Sequence, residues 1–209
     1  MIILFDLDGT LIESTEAITS TFHHAFNVHG VNNPSDADIQ ALIGHPLDVM
    51  FARLGVDEDK VWDFVDTYKQ RYRTISKIKT ELLPEAQKAV ELASTFATLG
   101  IVTTKTGLYS QELMEHFGIM HHFKVLIGRE HVEFPKPDAE PIYKALEKLP
   151  KDDNIWMIGD TELDLISARN ARVGAIGVLG GYGTKQSLEA YTNKIFKNAY
   201  EAVEYLKTK

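Results

Sequence analysis

The sequence predicts an α/β fold, a doubly wound parallel sheet, with an all-helical cap domain inserted after its first strand. Three observations predict it. Apolar runs of strand length recur at residues 2–5, 101–104, 125–128, 155–158 and 175–178. Between most of them lie segments of helical periodicity, the alternation that builds βαβ units and a parallel, Rossmann-like sheet with helices on both faces. Residues 13–80 break that alternation with helical spacing and no strand pattern. The core is therefore assigned to 1–12 and 81–209, and the cap domain to 13–80.

The elements follow in order. Ile2, Ile3, Leu4 and Phe5 form a continuous apolar run, the mark of a strand buried on both faces. Residues 14–30 place Ile18, Phe22, Ala25 and Phe26 at helical spacing, with Ser14 as the expected N-cap. Ser35 or Asp36 caps a short helix to Leu42, and Pro46 suits the first turn of the next, which Gly55 ends. Residues 57–78 read as one long helix with Val61, Phe64, Val65, Tyr68 and Tyr72 on a shared face. Beyond Leu83-Pro84, helices are expected over 85–99 (ended by Gly100), 109–117, 138–149 and 161–170, with a short edge strand near 194–197 and a last helix over 200–206. Gly180-Gly181-Tyr182-Gly183 follows a late strand and opens no helix, so it is not a dinucleotide fingerprint; it lets the backbone pass close to the site.

Composition narrows the function classes. The 209 residues are 44% hydrophobic and 25% charged, enough for a core without staples. There is no cysteine, which excludes disulfides, thiolate catalysis and cysteine-ligated metal centres. The net charge of −8 disfavours general nucleic-acid binding. No apolar run reaches the roughly 20 residues that span a bilayer, and the chain opens in a strand rather than a basic leader. The expectation is a cytoplasmic monomer or homodimer, with no membrane or nucleic-acid partner.

The chemistry sits at strand ends. Asp6 and Asp8 stand two apart at the end of the first strand, so in extended chain they share a side roughly 6–7 Å apart. Like charges so close repel, and a divalent cation or a shared proton relieves them. Three further polar strand ends or loops, Thr103-Thr104, Pro135-Lys136-Pro137 and Gly159-Asp160 through Asp164, converge there if the strands share one sheet. Carboxylates, a hydroxyl and a lysine are what phosphoryl transfer to a carboxylate requires.

DLDGT at 6–10, VTTK at 102–105, PKP at 135–137 and GDTELD at 159–164 resemble, in order and spacing, the four motifs of the haloacid dehalogenase-like hydrolase superfamily. Residues 11–14, 100–106, 136–142 and 177–183 are most similar to its phosphoglycolate phosphatase branch. The resemblance implies a Mg²⁺-dependent phosphatase acting on a small phosphorylated metabolite through an aspartyl-phosphate. It makes Asp6 the nucleophile and Asp8 the general acid and then base, and it puts Thr103 and Lys136 on the phosphoryl oxygens. Gly9, Thr10 and Thr104 add phosphate donors. Asp6, the Asp8 carbonyl and Asp160 bind Mg²⁺, and Asp164 stands behind them, orienting Lys136 or metal waters. The dehalogenases lack an acid at the second position, so Asp8 favours phosphate esters. Phosphomutase, pyrophosphatase and nucleotidase chemistry share this fold, as would a non-catalytic phosphate-binding module; a receiver-type signalling domain is disfavoured by the insertion, Asp8 and the Lys-Pro loop.

Three positions depart from the branch pattern: Glu85 where glycine often follows Leu-Pro, Ala139 where a second proline is common, and Arg172 where an Ala-Gly pair usually precedes the next strand. Substrate choice is expected from the cap, with Gly44 and His45 its foremost candidates. The adjacent pairs His23-His24 and His121-His122 point about 100° apart on a helix and make poor joint metal sites.

Overall fold

The computed structural model describes all 209 residues. Contacts divide the chain into two compact units, Met1–Glu13 with Leu82–Lys209, and Ser14–Glu81.

The first unit is a six-stranded sheet flanked by helices. Its strands are β1 (Ile2–Phe5), β4 (Thr98–Val102), β5 (Phe123–Ile127), β6 (Ile155–Gly159), β7 (Gly174–Val178) and β8 (Ile195–Phe196), in the order β5-β4-β1-β6-β7-β8. All pairings are parallel, with Phe5 opposite both Ile101 and Ile158. β1 is central and its four residues are buried. Alternation sends Ile3 and Phe5 to one face, packed with α5 (Ala86–Ser94), α6 (Gly107–His116) and α10 (Ala199–Lys207). Ile2 and Leu4 go to the other, with α7 (Glu140–Leu146) and α8 (Glu162–Asn170). Each such side chain contributes about 1.5–3 kcal/mol by leaving water. That double burial is why β1 can carry two carboxylates at its end without fraying.

The second unit holds α1 (Thr15–Val28), α2 (Asp36–Gln40), α3 (Leu47–Arg53) and α4 (Val61–Lys79). Its core is aromatic: Phe22 lies 4.5 Å from Phe51 and 5.0 Å from Tyr68, and Phe26 meets Phe64 edge-on at 5.3 Å. Ser35 caps α2, its hydroxyl accepting from the Asp38 amide at 3.1 Å. Ser14 occupies the N-cap position of α1 without a side-chain cap bond. Two-residue strands β2 (Ile12–Glu13) and β3 (Glu81–Leu82) pair where the chain leaves and rejoins the sheet unit.

Several boundaries differ from the sequence expectation for physical reasons. α4 starts at Val61, because residues 57–60 close a separate turn through Lys60 N to Asp57 O at 2.9 Å. α5 ends at Ser94, and Gly100 is not a helix stop but a strand residue opposite Leu4. A Cβ there would lie 2.8 Å from both Leu4 Cδ2 and Val125 Cγ1, so the glycine serves close packing. α7 is shorter than expected, because residues 136–139 are held in the loop before it. A short helix, α9 (Lys185–Glu189), follows the glycine loop and had no clear periodic signal. Glu85 and Arg172, two of the family departures, are the non-glycine residues with positive φ, at +64° and +59°. The backbone there takes the left-handed form that glycine accepts at no steric cost.

Gly100→Ala is expected to destabilise the protein by about 1–3 kcal/mol through overpacking, read as a lower urea midpoint at unchanged m-value.

Candidate active site

β1 ends on a turn built around one carbonyl. The amides of Thr10, Leu11 and Ile12 all donate to Leu7 O at 2.9–3.0 Å, and Gly9 N donates to Ile12 O at 2.9 Å. Gly9 has φ +84°, and a Cβ there would lie 2.3 Å from Asp160 Oδ2 and 2.9 Å from Gly181 Cα. Conformation and space both require glycine at this point. The turn leaves Asp6 5% exposed, beside the ends of β4 and β6.

Lys136 is the hub. Its ammonium donates to Asp6 Oδ1 at 2.7 Å, to Val102 O at 3.1 Å and, at shorter range, to Asp164 Oδ1. Lysine has three donors, and all three are committed. Asp164 Oδ2 accepts from Thr161 N at 3.1 Å and Thr161 Oγ1 at 2.8 Å, which caps α8 and fixes the carboxylate that fixes Lys136. Asp160 is fully buried; Thr10 Oγ1 donates to its Oδ1 at 3.1 Å and Tyr182 N to its Oδ2 at 2.8 Å. The glycine loop thus passes against Asp160, as its sequence suggests.

Carboxylate oxygens of Asp6, Asp160 and Asp164 lie within 4.8 Å of one another. Asp6 and Asp160 offer buried, charged oxygen donors that fit a hard divalent cation such as Mg²⁺, while Asp164, its oxygens taken by Lys136 and Thr161, stands behind them. When bound, such an ion supplies positive charge to phosphoryl oxygens.

The predicted site residues on the sheet unit therefore gather at one edge: Asp6, Asp8, Gly9 and Thr10 after β1, Thr103 and Thr104 after β4, Lys136 in the loop before α7, Asp160 and Asp164 after β6. Thr103 is buried, and its hydroxyl accepts from Lys105 N at 3.2 Å. Gly44 and His45 belong to the helical unit, where His45 Nε2 pairs with Arg53 Nη1 at 2.9 Å. His23 pairs with Asp36, and the rings of His121 and His122 lie 4.0 Å apart at a tilt of 38°. The sequence reading assigned no role to Lys105. Its ammonium lies 2.9 Å from both oxygens of Asp8. The signal was a lysine two residues past the strand-end threonine, just beyond the strand that pairs with β1.

Comparison with known proteins finds relatives over nearly the whole chain. A family model described as haloacid dehalogenase-like hydrolase matches residues 3–178. A 5'-nucleotidase of Pseudomonas aeruginosa is 33% identical over 196 residues, covering 90% of this chain and 87% of that protein. Pyrophosphatase PpaX of Bacillus cereus is 31% identical over 201 residues, covering 90% and 88%. Among solved structures, a haloacid dehalogenase-like family hydrolase from Streptococcus pneumoniae superposes with a TM-score of 0.85 at 28% identity, over 98% of this chain and 97% of that one.

Burial sets the site's electrostatics. It pushes the Asp6 carboxyl up to about 7, against the pull of Lys136 and with the repulsion of Asp164 and Asp8. Burial, then Asp164 and Asp6, also hold Asp160 well above the carboxylate range. Lys136 is raised: burial opposes its charge, but Asp164 and Asp6 outweigh it. A carboxyl raised on folding gives stability that is full below its unfolded value and lost as pH rises through the folded one. For Asp6 that window runs from 3.8 to about 7. Lys136 stays charged throughout. The metal-free protein is therefore expected to lose roughly 2–4 kcal/mol between about pH 4.5 and pH 7.5, measured by urea unfolding in a chelator.

Proposed function

The chain belongs to the haloacid dehalogenase-like hydrolase family, and on that premise we propose that it is a Mg²⁺-dependent phosphatase of small phosphate monoesters, phosphoglycolate phosphatase-like, working through an aspartyl-phosphate on Asp6. The observation that carries this reading is the buried Lys136 ammonium gripping Asp6 and Asp164 beside Asp160. A structural ion pair alone needs no third carboxylate in the same pocket; a metal-assisted nucleophile does.

The residues divide the work. Lys136 fixes the Asp6 carboxylate and places positive charge where phosphoryl oxygens arrive. An Asp6 oxygen bonds to phosphorus as the ester P–O bond breaks, and Asp8 gives its proton to the departing oxygen. Asp8 then takes a proton from water, whose oxygen attacks phosphorus and frees Asp6 and phosphate. The Thr103 hydroxyl and the Thr104 amide donate to the phosphoryl oxygens; the Gly9 and Thr10 amides, expected from the sequence to do so, are spent inside the turn on Ile12 O and Leu7 O. Asp6, the Asp8 carbonyl and Asp160 hold Mg²⁺, with Asp164 behind Lys136. The helical unit serves as the cap domain that selects the leaving group, with Gly44 and His45 in that role, and the enzyme works in the cytoplasm on a small metabolite. A pyrophosphatase or nucleotidase reading uses the same residues and differs only in the leaving group; the names of the two relatives favour keeping both in the substrate panel.

Phosphate release should be assayed over 2-phosphoglycolate, sugar phosphates, nucleotides and pyrophosphate, with and without Mg²⁺. Mg²⁺-dependent release is expected, and none from folded, metal-supplied protein would overturn the proposal. Asp6→Asn is expected to lower kcat at least about 10³-fold; retained turnover would remove Asp6 as nucleophile. In thermal melts, millimolar Mg²⁺ is expected to stabilise the wild type more at about pH 8 than at about pH 5, since binding must displace protons. Asp160→Ala is expected to abolish that gain.

A further inference from the structure

Lys105 is a second, half-buried cation at the sheet unit's catalytic edge, and the reaction scheme leaves it without a task. Its side chain is 8% exposed and that of its partner Asp8 12%. Its backbone is fixed from three sides: its amide donates to Thr103 Oγ1 at 3.2 Å, its carbonyl accepts from Arg129 N at 3.0 Å, and Gly128 packs against that carbonyl. Two residues on, Glu130 takes the Gly107 amide at 2.8 Å and the Leu108 amide at 3.3 Å, so the start of α6 is tied to the same loop. Such a mount is more than a surface lysine needs to neutralise one aspartate.

Resting on the phosphatase reading, we propose that Lys105 is a specificity-determining residue that selects phosphate esters whose leaving group carries a negative charge next to the scissile oxygen, such as a carboxylate or a second phosphate. The leaving oxygen must come within hydrogen-bond reach of Asp8, about 2.7 Å. Asp8 lies 2.9 Å from the Lys105 ammonium. The leaving oxygen therefore sits within about 5–6 Å of that ammonium by the sum of two contacts, and a charge on the adjoining atoms lies a bond or two further. While Asp8 carries the proton it gives to the leaving oxygen, its carboxyl does not balance the Lys105 charge, which then acts strongly over such a distance in this part-buried setting, whereas in bulk water it would be screened. Lys136 has no donor left for the leaving group, because Asp6, Asp164 and the Val102 carbonyl already take its three. Charge selection is thereby placed on the core, where the sequence reading expected it on the helical unit alone.

The test compares two esters of equal length, 2-phosphoglycolate and ethyl phosphate, in wild type, Lys105→Gln and Lys105→Arg, all with Mg²⁺. In the wild type, kcat/KM is expected to favour the charged ester by at least about tenfold. Lys105→Gln is expected to cut that ratio about 10–100-fold, mostly through KM for 2-phosphoglycolate, and Lys105→Arg to restore most of it. Equal losses on both esters would overturn the inference and reduce Lys105 to a counter-ion of Asp8. A wild type that prefers the neutral ester would overturn it even if the Gln variant fails to fold. A wild type inert towards every ester of the wider panel would overturn the phosphatase reading instead, and this inference with it.

Discussion

The structure depends on one buried ammonium. Lys136 sits where burial should expel its charge, and it stays because two carboxylates and a carbonyl close around it. Removing a partner from such a group leaves an uncompensated buried charge, which costs far more than the pair contributes. The constraint runs outward from there. Asp164 must be rigid to hold Lys136, so it is built into the first turn of α8 with Thr161 as its clamp. Asp6 must stand at the end of a strand that cannot shift, so β1 is central and buried on both faces. Asp160 fills the remaining space against Gly9 and Gly181, positions where any side chain would strike its carboxylate.

Charge at this edge is divided into two pairs with different duties. Four carboxylates, Asp6, Asp8, Asp160 and Asp164, face two ammoniums, Lys105 and Lys136. The surplus negative charge lies on the Asp6 side, where burial raises Asp6 and Asp160 alike. That imbalance is a demand for positive charge, which a divalent cation meets in kind and amount. The Asp8 side is balanced by Lys105. Keeping the nucleophile's cation apart from the acid's cation lets each carboxylate keep its own environment although they stand two residues apart, the arrangement by which neighbouring carboxyls take different roles.

Much of this was legible in the sequence because it is carried by periodicity and by strand ends. Runs such as residues 2–5 and 155–158, bounded by turn residues, read as strands of a covered sheet, and in a parallel sheet their carboxyl ends fall on one edge. Asp6, Thr103, Lys136 and Asp160 could therefore be grouped without coordinates. The misreadings share a cause, which is that local pattern does not report tertiary packing. Gly100 looked like a helix stop, yet it is a strand residue whose missing side chain makes room for Leu4 and Val125. β2 and β3 are two residues each, too short to show alternation. The Lys105–Asp8 pair spans 97 residues of sequence and depends on the side-by-side ends of β1 and β4. Glu85 and Arg172 were legible only as missing glycines; the backbone supplies the reason.

The central claim is that Asp6, gripped by Lys136, becomes covalently phosphorylated. It is tested most directly by quenching the enzyme during turnover, reducing it with borohydride and sequencing its N-terminal peptide by mass spectrometry. Reduction converts an aspartyl-phosphate to homoserine. Homoserine is expected at position 6, dependent on substrate and lost with a chelator. Turnover with unmodified Asp6 under the same quench, or homoserine at position 8 instead, would contradict it.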